Sequence, residues 1–251
     1  RKKNIDDNWN IIIRSDSNNF FDNILEIKKY IDLIFFFIKR DFVVFYKQTI
    51  LGPVWYIAQP LINTLVFTFI FGNLANISTD GTEPFLFYLA GTILWGYFAV
   101  CISLTSKTFI TNSAIYGKVY YPRIVNPISY VLFSLVQFSI QLTIFIFFIL
   151  YFKNFESFSL KLFLIPLLVF QTGILALGFG LLISSLTTKY RDLTMVIEFF
   201  IQVWMFVTPV VYPLSIVDEK YRIYICLNPI APIIESFKDI FFNTSVITIN
   251  Q

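Results

Sequence analysis

The sequence predicts an all-α integral membrane protein, a polytopic helix bundle with five visible spans. Three observations predict it. The 251-residue chain is 57% hydrophobic and 14% charged, with a mean hydropathy of +0.70, whereas a soluble domain carries roughly 25% charged residues. Its charges are bunched. Uncharged stretches of 32, 23, 29 and 27 residues separate Lys47 from Asp80, Glu83 from Lys107, Arg123 from Lys153 and Lys161 from Lys189. Between Asp192 and Asp218, Glu198 is the sole charge among 25 residues. Finally, these runs are continuously apolar and lack the period-2 alternation of roughly 10-residue barrel strands, which favours helices. A span needs about 20 apolar residues, so the candidate spans fall near 54–73, 85–106, 127–151, 162–186 and 193–212.

The chain does not begin with Met and shows no signal-peptide pattern, so its start is expected to be trimmed. Residues 1–27 are polar and mixed and read as a cytoplasmic arm. Residues 28–52 follow as an amphipathic helix lying in the membrane interface. At 100° per residue, Lys28, Lys29, Asp32, Lys39, Arg40 and Lys47 fall within an arc of about 120°. Asp41 lies about 100° outside that arc. A carboxylate on the apolar side costs several kcal/mol unless it is paired. Asp41 is therefore expected to have a specific partner, such as a cation from the loop ends, unless a kink turns it to water. Gly52-Pro53 should end this helix and start the first span, since proline is tolerated at a first helical position.

Residues 53–213 hold the spans, where polar residues are placed rather than scattered. Gln59 and Asn63 are four apart on the first span, with Phe67 continuing the face; Gln137 and Gln141 are four apart on the third. On the fifth, Thr194, Glu198 and Gln202 repeat every fourth residue, and Met205 extends the stripe. Such faces must meet protein or water, not lipid. Glu198, the one ionisable residue deep within a span, either faces a wet passage or pairs with a cation near the membrane surface. On the fourth span, Thr172, Ala176, Gly180 and Ser184 form a small-residue seam for close helix packing. Beyond the fifth span, the uncharged stretch 223–234 is too short to cross and carries Pro229 and Pro232. Residues 214–251 therefore read as short re-entrant or interfacial helices on the external side.

Lysine and arginine collect on the cytoplasmic side of membrane proteins. Nine precede the first span, and the 74–84 loop has none. The 107–123 loop has Lys107, Lys118 and Arg123, and the 187–192 hairpin has Lys189 and Arg191. This places the N-terminus and both basic loops in the cytoplasm. The 153–161 loop, with Lys153 and Lys161 around Glu156, blurs the alternation.

The chain contains no histidine, which removes histidine general bases and His-ligated metal sites. No catalytic residue and no metal site are predicted. Cys101 and Cys226 are isolated and read as unpaired. There is no G-x-x-x-x-G-K-[ST] motif: the one Gly-Lys, Gly117-Lys118, is followed by Val119 and lacks the upstream glycine. The chain is expected neither to bind nor to hydrolyse ATP.

Several stretches together resemble the permease subunits of ABC exporters for polysaccharides, O-antigen and teichoic-acid-like polymers. They are KRDFVVFYKQTILGPVWYIAQPLINTLVFTFIFG (39–72), YYPRIVNP (120–127), KYRD (189–192), TPVVYPLS and LNPIAPIIESFKD. The resemblance covers about residues 28–242. It implies a homodimeric permease in a bacterial inner (plasma) membrane. It further implies two copies of a separate ABC ATPase subunit, which would hold ATP and Mg, and a lipid-linked glycan as substrate. No nucleic-acid partner is expected. Six spans are implied, so a sixth should start in or after the last residues. Contacts with the ATPase would come from the 107–123 loop and the 189–192 hairpin. The candidates are Ile115, Tyr116, Lys118, Tyr120, Arg123, Lys189, Arg191 and Asp192, with Ile115–Arg123 as the main coupling helix. The interface helix, with Lys39, Arg40, Asp41 and Lys47, would move with it. The two copies would part along their first and fifth spans, around Gln59, Asn63, Phe67, Glu198, Gln202 and Trp204. Two rivals stand beside this reading: an ABC exporter permease for a small molecule or drug, and an ATP-independent lipid-linked glycan flippase.

Overall fold

A computed structural model of the chain describes residues 27–48, 52, 54–152 and 160–243. Nearly all of the predicted arm, Pro53, Lys153, Glu156 and the expected start of a sixth span lie outside the described residues. All regular structure among the described residues is helical. The elements are α1 (Ile31–Gln48), α2 (Val54–Phe67), α3 (Pro84–Ser106), α4 (Thr108–Thr111), α5 (Ser113–Tyr116), α6 (Val125–Phe152), α7 (Ile165–Lys189), α8 (Leu193–Val207), α9 (Glu219–Cys226) and α10 (Ala231–Phe242). α2 continues into a π-helical stretch, Thr68–Leu74, and a 3-10 turn, Leu160–Leu164, leads into α7.

Among the described residues, four helical stretches are long and apolar enough to cross a membrane: Val54–Leu74, Pro84–Ser106, Val125–Phe152 and Lys161–Lys189. The chain is an all-α polytopic membrane protein. The fifth predicted span is corrected in length. Its helix, α8, has 15 residues, about 22 Å at 1.5 Å per residue, against a hydrocarbon core of about 30 Å. Thr208 ends it with extended backbone (φ −92°, ψ 145°). Thr208 precedes Pro209, and a residue before proline is pushed out of the α region. Gly52 marks the break before α2 with a left-handed φ of 51°.

α3 is the hub. It is apolar all round and has no charged side chain, the pattern of a helix buried on every side. Leu86, Tyr88, Ala90, Leu94, Phe98 and Cys101 are fully enclosed, and α2, α6, α7 and α8 all pack against it. The α3–α7 contact is made by the predicted seam: Thr172, Ala176, Gly180 and Ser184 are all buried. A Cβ built on Gly180 would lie 2.5 Å from the Thr105 Cβ, and one on Gly173 would lie 2.7 Å from the Tyr97 hydroxyl. The helices therefore approach to backbone distance, as small residues allow. Near the α3 C-terminus, Thr187 Oγ1 donates to the Ser106 carbonyl at 2.7 Å. Gln141 is buried and joins α6 to α2, its Nε2 donating to the Tyr56 carbonyl at 3.0 Å.

The two predicted helices after the fifth span differ in kind. α9 is exposed, whereas α10 is buried against the bundle. Phe237 and Phe241 pack on Phe145 of α6, with ring centroids 6.2 and 4.9 Å away. Lys238 goes in with them and is 1% exposed. Its Nζ donates to the Pro209 carbonyl at 2.6 Å and to the Val210 carbonyl at 3.3 Å, and lies 3.7 Å from the Phe87 ring centroid. Glu235, also buried, stands 4.0 Å from the same Nζ. Burial pulls the Lys238 ammonium below the ordinary lysine range and pushes Glu235 up, and the opposite charge of each offsets part of the shift.

These contacts sort the connections into two ends. One end gathers the 74–84 loop, the entry to α7 and residues 208–243: Ser215 donates to Asp80 at 2.7 Å, and Lys161 pairs with Asp239 at 2.9 Å. α1, α4, α5 and the 187–192 hairpin gather at the other. Among the described residues, that second end carries ten Lys and Arg and the first carries four.

Candidate functional site

At the basic end, α1 docks on the segment that leads into α6. Ile34 and Phe37 bury against Tyr121 and Val125, forming a small core separate from the main one, with Ile115, Tyr116 and Ile128 packed on it. The Phe37 and Tyr121 ring centroids are 5.8 Å apart, and those of Tyr116 and Tyr121 are 5.5 Å apart. Asn126 Nδ2 donates to the Tyr121 hydroxyl at 3.1 Å, and Asn112 Nδ2 donates to the Tyr130 hydroxyl at 3.0 Å. Packing and these bonds make α1, the loop and the start of α6 one body.

The predicted coupling helix over Ile115–Arg123 is corrected. The helical part is α4 and α5, which end at Tyr116; the chain is then irregular up to α6. Gly117 and Pro122 explain this, since neither supports a helix interior. Ile115 and Tyr116 are half-buried against α1, while Lys118, Arg123 and Tyr120 are exposed, Tyr120 by 65%. Lys189, Arg191 and Asp192 are exposed at the same end. Lys189 Nζ lies 5.2 Å from the ring centroid of its neighbour Tyr190.

Asp41 faces inward on α1, as its position outside the charged arc implied. It does have a partner, but not the expected loop cation: adjacent Arg40 reaches round from the exposed arc and pairs with it at 2.8 Å. The Arg40 guanidinium also lies 4.7 Å from the Phe37 ring centroid. Asp41 Oδ2 is buried and has no hydrogen-bond partner among the described residues. Lys39 and Lys47 remain exposed.

The exposed surfaces of α2 and α8 carry the other candidates. Gln59 and Asn63 of α2, and Glu198 and Gln202 of α8, are exposed amid apolar neighbours such as Ile62, Val66, Phe199 and Val203. Phe67 is half-buried and meets Phe71 edge-on at 5.7 Å. Trp204 does not share this face. Its ring packs inward among Trp95, Phe98 and Phe179, at 6.2, 5.3 and 5.5 Å. Its indole N–H donates to Asn228 Oδ1 at 3.1 Å. Position explains the difference, since Gln202 and Trp204 lie about 200° apart round the helix. Glu198 takes the second of its two predicted environments: its carboxylate forms an ion pair with Lys107. Lys107 counted in the sequence only as a loop charge and Asn228 only within a quoted stretch; neither stood out as a partner, because the groups they meet lie 91 and 24 residues away.

The family model for ABC-2 type transporters matches residues 32–242. The chain belongs to the ABC-2 type transporter family. It is also similar to curated relatives along most of their length. Two O-antigen export system permease proteins RfbA from Klebsiella pneumoniae are each 29% identical over 212 residues, covering 84% of this chain and 81% of the relative. A protein of the same name from Myxococcus xanthus is 25% identical over 219 residues, covering 86% of this chain and 83% of the relative. The ABC-2 match takes in all of α1 but its first residue, the 107–123 loop, both polar faces and α10, so every candidate residue falls within the family region.

Proposed function

We propose that this chain is the membrane-spanning permease subunit of an ATP-driven exporter that moves a lipid-linked polysaccharide or teichoic-acid-like polymer across a bacterial inner membrane. The observation that carries this is the family match over 32–242, joined by relatives whose names specify O-antigen export. The chain works as a homodimer and performs no ATP chemistry. Two copies of an ABC ATPase bind ATP and Mg and dock on the basic end. That end faces the cytoplasm, in keeping with its surplus of Lys and Arg.

Closure of the ATPase dimer pushes α4 and α5. α1 moves with them because Phe37 and Tyr121 share a core. The two permease copies then part along α2 and α8, and the polymer slides past Gln59, Asn63 and Gln202. Their amides bond sugar hydroxyls weakly enough to let the chain move on.

Two experiments test the parts of this. The chain should co-purify in mild detergent with the ABC ATPase encoded beside it. Arg123→Glu or Arg191→Glu should weaken that complex, since a rim charge of the wrong sign slows association. A wild-type chain that recruits no ATPase would refute the exporter reading; unaltered binding by both variants would reduce these arginines to topology anchors. Separately, Gln59→Ala with Asn63→Ala should cut glycan export by about tenfold with the complex intact, since each lost hydrogen bond is worth about 1 kcal/mol. Unchanged export at normal expression would remove α2 from the passage.

A further inference from the structure

α8 is held unequally at its two ends. Its C-terminal end is pinned several times over. The Trp204 indole donates to Asn228 at 3.1 Å, Asn228 Nδ2 donates to Thr208 Oγ1 at 2.9 Å, and Lys238 holds the carbonyls of Pro209 and Val210 at 2.6 and 3.3 Å. The Val210 carbonyl sits so close to α3 that a Cβ on Gly91 would lie 2.8 Å from it. Among the described residues the N-terminal half has no comparable set of hydrogen bonds, although Leu193 and Ile197 pack on the main core. Of residues 193–200 only Ile197 is buried, while Met195, Val196, Phe199 and Phe200 are exposed. A short connection through Tyr190, Arg191 and Asp192 joins this half to α7, and Tyr190 has extended backbone (φ −125°, ψ 98°). Among the described residues, one polar side-chain contact ties this half of α8 to another helix: the ion pair of Glu198 with Lys107.

Lys107 stands where the central helix becomes the coupling loop. It caps the C-terminus of α3 and precedes α4, and its carbonyl accepts from the N–H groups of Ile110 and Thr111 at 3.1 and 2.9 Å. A displacement of α4 and α5 therefore moves Lys107. Both partners are partly open, with side chains 33% and 51% exposed, and an exposed pair is weak and screened by salt. Such a link suits a contact that is made and broken. A released carboxylate on an apolar membrane helix cannot face lipid, though, and must find water.

We propose that the Lys107–Glu198 pair is a latch between the coupling loop and α8. It positions the free half of α8 against α3 while the passage is closed. Movement of α4 and α5 withdraws Lys107, and α8 pivots about its pinned end, presenting Glu198 and Gln202 to a wet passage. This rests on the exporter reading above.

The test uses the full chain with its ATPase, reconstituted in vesicles, reading ATP hydrolysis and glycan export together. Lys107→Glu and Glu198→Lys, each alone, should lower export by about tenfold relative to ATP consumed, as expected for residues in direct contact. The double variant K107E/E198K should restore export to within about threefold of wild type. Wild-type export ratios in either single variant, or a double variant no better than the worse single, would overturn the latch. Glu198→Gln keeps the shape and removes the charge, so a wild-type ratio there overturns it even if the reversed charges misfold. The wild-type complex run alongside reads the premise: no export by it sinks the exporter reading and the latch with it. Loss confined to the variants, without rescue, sinks the latch alone.

Discussion

Lys238→Ala is expected to be the most damaging single change outside the spans, lowering stability by about 3–5 kcal/mol. The side chain is 1% exposed and meets two backbone carbonyls, a ring face and Glu235. Truncation leaves the Pro209 and Val210 carbonyls without their donor and Glu235 without its counter-charge. Neither loss is repaired by water at so enclosed a site, and a buried group left unpaired costs far more than the bond itself contributed. The loss should show as a large drop in the temperature at which purified protein leaves the monodisperse state in detergent. Lys238→Met with Glu235→Gln should recover part of it, because that pair of changes removes both charges together. A Lys238→Ala protein as heat-resistant as wild type would mean that α10 does not hold the end of α8.

The α3–α7 seam gives the second large effect, and it comes with an internal control. Gly180→Ala would place a carbon 2.5 Å from the Thr105 Cβ and 2.7 Å from its Cγ2. Both atoms sit close to a helix backbone, so the helices themselves must separate. Overpacking of this kind costs about 1–3 kcal/mol, and Gly180→Leu should cost more. Gly178, two residues away on the same helix, has open space where its Cβ would go. Gly178→Ala should therefore be neutral or stabilising by about 0.5–1 kcal/mol, since glycine in a helix interior is unfavourable relative to alanine. The same thermal assay should lower the transition for Gly180→Ala and leave it unchanged or raised for Gly178→Ala. Equal shifts would contradict the close approach of α3 and α7.

The spans were legible because hydrocarbon imposes a simple rule: a helix that meets lipid carries almost no charge for about 20 residues. Four of the five stretches appear as helices within a few residues of their expected ends. The seam was legible for a related reason, since residues four apart share a face and small side chains have one common use there. Asp41 was half legible. Its helical angle announced an inward carboxylate, but no periodicity could say that the adjacent Arg40 would wrap round to meet it. The helix expected over 115–123 came from the resemblance rather than from local chemistry; Gly117 and Pro122 within that stretch argue for the irregular chain found there. α8 was drawn too long because its apolar run continues past Thr208, although Pro209 ends the helix.

By itself, then, the sequence determined the class of the molecule, the places where the chain crosses, the face on which α7 packs, and the residues too polar to meet lipid. These follow from local composition and spacing, which act over a few turns of helix. Tertiary structure alone decided which helix is central, which polar residues meet, and which end of α8 is free. Glu198 and Lys107 are separated by 91 residues, and Lys238 and Pro209 by 29. Nothing in the spacing of such partners marks them. Only the packing of α8 against α3, and of α10 into the bundle, brings these groups within reach.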